Sequence, residues 1–235
     1  MKKTLHLIAL LLMTVVTLSL TASCKKDNKE KEDTNTVTDI DGNVYKTIKI
    51  GEKVWMAENM RTSKYNDGIP IQYIIDDASW AALAAGAWCY YGNEPANDKP
   101  YGKLYNWAAA GTGKLCPVGW HIPTGADWKD LFTALGWEGG DDGIINVAGG
   151  KMKATDYWAE PNTEATNESG FTGLPGGLRR VDGTFDRKGT YGVWWSSVVY
   201  SDFRYCYGLN HNDGKVRTDY WGERKAGRSC RCVKD

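Results

Sequence analysis

The chain has 235 residues, and removing the first 23 as a targeting segment leaves 212, which fits one domain of roughly 100 to 200 residues plus a tail. Its 42% hydrophobic and 25% charged content excludes a fibre and a fully disordered chain. Lys+Arg and Asp+Glu balance at 29 each, so no basic field marks a nucleic-acid partner, and the 11 Trp and 13 Tyr against four Phe predict a fold built on large amphipathic rings.

At the N-terminus, Lys2 and Lys3 precede a mostly apolar stretch from Leu5 to Leu20, shorter than the roughly 20 residues a membrane span needs, and Thr21-Ala22-Ser23 forms a small-residue exit. Cys24 directly after Leu20-Thr21-Ala22-Ser23 resembles a bacterial lipobox, whose cysteine becomes the lipid-bearing first residue of the mature chain. The resemblance implies a lipoprotein signal peptide over residues 1–23 and a membrane partner reached through a lipid anchor. Several acyl chains on Cys24 would hold the protein stably, whereas one gives marginal binding. An ordinary cleaved signal followed by a coincidental cysteine is the alternative. Residues 24–36 hold no apolar side chain after Cys24 and alternate Lys with Asp or Glu, which predicts a solvated tether. Lys25-Lys26-Asp27 resembles the charged export signal of surface lipoproteins in Bacteroidetes-type bacteria, implying an outer-membrane, cell-surface location, with an inward-facing position as the other option.

From Val37 the pattern changes to short alternating runs punctuated by Asp41-Gly42-Asn43 and Gly51-Glu52-Lys53, which read as hairpin turns. The Asp39 start of an EF-hand fails, because Ile50 occupies the twelfth position, where a bidentate acid is required. Asp77 through Trp88 is Ala-rich with helical spacing and predicts a short helix. Thr124 and Asp127 form a capping pair ahead of Trp128, Leu131, Phe132 and Leu135, and Gly136 closes that second helix. After Gly139 the chain is Gly-rich and irregular. It ends in three runs, GVWWSSVVY, RYCYGLNH and GRSCRCVKD, which read as a closing antiparallel sheet. Strands at both ends and two helices between them make an α+β pattern, and the irregular stretch 139–190 is where a binding surface is expected.

The blocks GNVYKTIKIGEKVWMAENMRT, YGKLYNWAAA, KLCPVGWHIPTGADWKDL, ESGFTGLPGGLR, VWWSS and CRCVKD, in this order, resemble the Fibrobacter succinogenes major paralogous domain over residues 37–235. That resemblance implies a C-type-lectin-like mixed sheet with two flanking helices, long irregular loops and paired chain ends. It implies no general biochemical activity. It also implies a disulfide between Cys116 and Cys232, which occupy the family's paired positions and would contribute roughly 4 to 5 kcal/mol in the loop-entropy model. Cys206 and Cys230 sit in neighbouring predicted strand runs and form the natural second pair, leaving Cys89 over.

Glu160-Pro161-Asn162 matches the tripeptide with which some C-type lectins hold calcium and mannose. Trp194-Trp195-Ser196-Ser197 stands where those lectins carry Trp-Asn-Asp, so two oxygen ligands are missing and no metal or cofactor is expected. His121 and His211 have no nucleophile tied to them by a motif, so no catalytic residue is expected. Trp158, Glu160, Asn162, Arg179, Arg180 and Trp221 form the candidate ligand surface, since exposed rings and Arg are favoured at recognition sites. The chain is thus expected to bind a protein or glycan ligand without transforming it. The rivals are a structural component of a surface assembly or fimbrial tip, and an oxidase of the formylglycine-generating type using Cys206 and Cys230.

Overall fold

The computed structural model of the chain describes residues 35–139, 144–145 and 147–235. The expected signal peptide, Cys24 and residues 25–34 of the expected tether lie outside the described residues. Asp39 organises the first hairpin: its carboxylate accepts from the amides of Asp41 and Asn43 at 3.0 and 2.9 Å, joining strand β1 (Thr36–Thr38) to β2 (Val44–Ile50). Thr36, placed in the tether by composition, already belongs to β1. Gly51, at φ +60°, turns the chain into β3 (Lys53–Met56), a left-handed position that glycine takes without strain.

Strand β4 (Gln72–Tyr73), helix α1 (Asp77–Ala82) and β5 (Ala87–Cys89) follow. The helix is shorter than the Asp77–Trp88 expectation. Leu83 turns extended, and a Cβ added to Gly86 would meet the Tyr65 hydroxyl at 2.2 Å, so tertiary packing there claims the chain for a strand. Next come α2 (Asp98–Tyr101), β6 (Leu104–Tyr105), α3 (Trp107–Ala110) and β7 (Trp120–His121). Helix α4 (Gly125–Ala134) carries the predicted capping box: Asp127 N donates to Thr124 Oγ1 at 3.2 Å and Thr124 N to the Asp127 carboxylate at 2.8 Å. It buries Trp128, Leu131 and Phe132. The remaining elements are β8 (Ile144–Ile145), α5 (Gly149–Met152), β9 (Leu178–Arg179), β10 (Phe185–Asp186), β11 (Tyr191–Tyr200), β12 (Phe203–Asn210), β13 (Val216–Gly222) and β14 (Val233–Lys234).

These strands form sheets in the orders β1-β2-β3-β14-β7, β4-β5-β6, β11-β12-β13-β8 and β10-β9, an α+β architecture. The first and last described strands share one sheet, in which β14 pairs with β3. The closing sheet differs from expectation in its third strand, which is β13. The C-terminal run is instead a seam between sheets: Gly227 bridges Arg179, Arg228 bridges Tyr105, Ser229 bridges Trp194, and Val233 pairs with Trp55 and His121. Cys116 and Cys232 are joined by a disulfide that fastens this seam to the segment before β7.

That placement also corrects the second disulfide. Cys206 lies on β12, paired to Trp195 of β11, while the segment carrying Cys230 runs along the opposite edge of β11. Two strand spacings, about 9 to 10 Å, exceed the reach of a disulfide. Cys206 and Cys230 are therefore buried thiols, as is Cys89. The core holds Trp55 against Trp128 at 5.1 Å between ring centroids and Trp128 against Tyr207 at 4.7 Å.

Candidate functional site

Two of the sequence-nominated ligand residues, Trp158 and Arg179, are buried in the described structure. Trp158 is 8% exposed, and its indole N–H donates to the Gly173 carbonyl at 3.0 Å. Arg179 is fully buried; it donates to the carbonyls of Gly183, Ile74 and Ile75 at 2.7, 2.6 and 2.9 Å and lies over the rings of Trp80 and Phe185. Both residues bury their rings or stems with every strong donor satisfied inside, which is cheaper than leaving that apolar area in water. The Trp221 side chain lies outside the described residues. Arg180 is exposed and pairs with Asp186 at 2.7 Å. Glu160 is exposed, its carbonyl accepting from His211 Nδ1 at 3.1 Å, and the Asn162 amide donates to the carbonyls of Ala154 and Thr155 at 3.3 Å each. The tripeptide thus forms an internally bonded loop turn. Among the described residues no group of three His, Cys, Asp or Glu is arranged to hold a metal ion.

The loop around that turn is strained. Tyr157, Asn162, Glu164, Asn167 and Thr172 all adopt positive φ. Such residues cost of order 1 kcal/mol or more each and gather where function requires a fixed shape. Lys153 fixes it from below. Its ammonium, buried beneath the loop, donates to the carbonyls of Thr163 at 2.6 Å, Asp213 at 3.0 Å and Asn210 at 3.1 Å, and lies over the Trp158 ring. Burial holds its pKa below the usual lysine value, against the pull of Asp213 and Glu164. Arg231 clamps the far end of the loop, donating to the carbonyls of Phe171 and Thr172 and to Asn59 Oδ1.

What this scaffold presents outward is Tyr157. At φ +71° the residue is 56% exposed, and its ring meets that of Tyr101 edge-on at 5.8 Å between centroids. Lys188 continues the surface, its Nζ 5.6 Å from the Tyr101 centroid and 5.4 Å from that of Tyr91, and it donates to Asn97 Oδ1 at 3.1 Å. The backbone bond from Ala159 N to Gly189 O, 2.7 Å long, ties the Tyr157 loop to the Lys188 turn. Gly176 and Gly177 explain how the rings can lie so close. A Cβ on Gly177 would stand 2.7 Å from Tyr91 Cε2, and one on Gly176 3.6 Å from Tyr101 Cβ, so bare backbone forms the floor beneath both tyrosines. The face therefore joins three segments: 91–101, the loop at 157, and the turn at 188.

Sequence reading missed Tyr91, Asn97, Tyr101, Tyr157 and Lys188. The available signals were the Tyr-Trp pair at 157–158, where either ring could face out, and the Gly176-Gly177 pair, which marks a close approach.

Elsewhere, His121 bridges two carboxylates, its Nδ1 to Asp235 at 2.6 Å and its Nε2 to Asp127 at 2.9 Å. Burial opposes its charge, but the bonds to Asp127 and Asp235 outweigh it and raise its pKa. Asp127 also accepts from Lys53 at 2.5 Å; burial opposes its charge, but these donors and Thr124 hold its pKa well below the carboxylate range. The three buried thiols lie in the core. Burial pushes Cys89 up to about 12 and Cys230 well above its ordinary value, which keeps both protonated.

An α+β domain, fastened by one disulfide and carrying a rigid irregular face, is the class these features define. The chain belongs to the Fibrobacter succinogenes major domain family, whose profile matches residues 48–234. Comparison with the curated proteins and with the solved structures gives no match.

Proposed function

We propose that this protein is a lipid-anchored outer-membrane module, facing the medium, that binds glycans through the Tyr91–Tyr101–Tyr157 face without transforming them. The observation that carries the reading is the strained presentation of Tyr157 beside Tyr101 and Lys188. A fold that spends backbone strain to expose a ring, with a buried ammonium fixing the loop behind it, supports recognition by a preorganised surface. Tyrosine supplies large contact area at low side-chain entropy, and its hydroxyl and ring serve the polar and apolar faces of a sugar. Cys24 and the charged segment after it support the anchor and tether.

Binding of the protein to a panel of glycans and matrix proteins tests the reading, paired with protease shaving of intact cells. Retention of a glycan that is lost on Tyr157→Ala is the expected result. Blank panels together with protection from protease would sink it.

The structural-component reading draws on a different observation. Edge strand β4 leaves Tyr73 exposed between Ile69 and Ile75, also exposed, which is the kind of edge another chain could extend. Cofractionation with a surface polymer, and loss of that polymer on deletion, would favour it.

A further inference from the structure

Resting on the reading of the tyrosine face as a glycan-binding surface, we infer that its ligand is an acidic polysaccharide, with carboxylates or sulfates carried on pyranose rings. Lys188 supplies the charge. Its Nζ sits between Tyr91 and Tyr101 and uses one of its three protons on Asn97 Oδ1. Among the described residues no carboxylate lies within ion-pair distance of it. Two acids of the adjoining segments are held by other cations: Asp186 accepts from Arg180 at 2.7 Å and pairs with Arg187 at 3.3 Å, and Asp98 holds Lys103 at 3.0 Å. Lys188 is exposed, but its contacts with two rings and Asn97 hold the ammonium in one place, so less ordering is needed to meet an anion than for a freely waving surface lysine.

The rings supply the sugar selectivity. Tyr91, Tyr101 and Tyr157 make no hydroxyl hydrogen bond to the protein among the described residues, so three phenols are available to a hydroxyl-rich ligand. Burial and the neighbouring Tyr157 raise the Tyr101 pKa, which keeps that phenol a donor. A pyranose laid against Tyr91 and Tyr101 would bring an exocyclic anion to the two unused protons of Lys188. The Ala159–Gly189 bond ties the Tyr157 loop to the Lys188 turn, and the Lys188–Asn97 bond ties that turn to the 91–101 segment, so the spacing between ring and charge is set before ligand arrives. Near-neutral overall charge argues against a non-specific polyanion sink, so the proposed selectivity rests on the single ammonium of Lys188.

The test measures binding of the full chain to polygalacturonate, to its methyl ester and to dextran sulfate, in low and high salt. The acidic polymers are expected to bind at least tenfold more tightly than the methyl ester. Lys188→Gln should remove that preference, Lys188→Arg should keep it, and Tyr157→Ala should weaken every polymer that binds. The ranking of polygalacturonate against dextran sulfate assigns the anion as carboxylate or sulfate. Equal binding of polygalacturonate and its methyl ester, both lost in Tyr157→Ala, overturns the acidic ligand and leaves the glycan-binding reading intact. Wild-type binding of polygalacturonate by Lys188→Gln also overturns it. Failure of every polymer to bind overturns the acidic ligand, and the glycan-binding reading then stands or falls on its own panel. Thermal melts of each variant confirm that it is folded.

Discussion

Lys153→Met tests whether a buried ammonium holds the ligand loop in shape. The wild-type side chain makes three bonds of 2.6 to 3.1 Å to the carbonyls of Thr163, Asn210 and Asp213, drawn from two separate segments. Hydrogen bonds to a charged group contribute about 1.5 to 3 kcal/mol each, but the sum overstates the case. Burial of the ammonium opposes them, as its depressed pKa records, and water can reach some of the orphaned carbonyls. Removing one partner of a buried charged cluster typically costs about 3 to 5 kcal/mol, and we take about 3. At about 2 to 4 °C per kcal/mol for a domain of this size, Tm should fall by about 6 to 12 °C. Calorimetry at pH 7 reads the loss, with Lys151→Met as a control, since Lys151 makes only a long surface contact to Glu168. Hydrogen exchange should accelerate first at residues 160–166 and 210–215. Propylammonium should restore part of the stability to Lys153→Ala, because the carbonyl cage remains. A Tm within about 2 °C of wild type, or exchange that rises evenly across the domain, would refute the reasoning.

Tyr157→Gly should separate stability from binding: relief of the left-handed φ adds up to about 1 kcal/mol, so a melt at or above wild type together with lost glycan retention is expected. Non-reducing peptide mapping should recover Cys116–Cys232 as a linked pair, with Cys89, Cys206 and Cys230 alkylated only after unfolding; a Cys206–Cys230 peptide would contradict the strand order. The His121 cluster sets a pH window. Because its folded pKa is raised, its contribution is complete below the unfolded value of roughly 6.5 and disappears as pH climbs through the folded one. Asp127, whose pKa is depressed, contributes above roughly 3.9 and loses its contribution as pH falls through the folded value. Chemical denaturation across pH should therefore decline on the alkaline side, and His121→Gln should flatten that limb.

Helix α4 was legible because all its determinants are local: a cap, its reciprocal acid, a 3.6-residue apolar stripe and a closing glycine. The C-terminal run was not. Its alternation suits a strand in any sheet, and its actual partners, Trp55, Tyr105, His121, Arg179 and Trp194, come from five distant segments that no local rule names. The pairing of Cys206 with Cys230 failed with it, since that inference needed the run to lie beside β12. At the candidate face the difficulty was smaller in distance but similar in kind. The irregular stretch has no period, so nothing in DYWAE says which ring turns outward. A left-handed φ at Tyr157 reverses the side-chain direction, exposing that ring and burying Trp158. Arg179 and Arg180 repeat the problem, and there the buried member is the one with three carbonyls in reach.

The contrast among the cations bears on function. Lys103, Lys153, Arg179 and Arg231 each lie over an aromatic ring and each donate to backbone carbonyls of loop segments. A domain with short helices and long connections would otherwise leave those carbonyls to water and the loops to their own entropy. Rings shield each charge while carbonyls satisfy its protons, so each cation acts as a staple that needs no metal. Lys188 shares the aromatic half of that arrangement and lacks the carbonyl half: it lies over Tyr91 and Tyr101, yet its bond goes to a half-buried amide at the surface. A cation placed by the same device but left with protons to spare is suited to hold something outside the chain. That difference, and not exposure alone, separates Lys188 from the structural set.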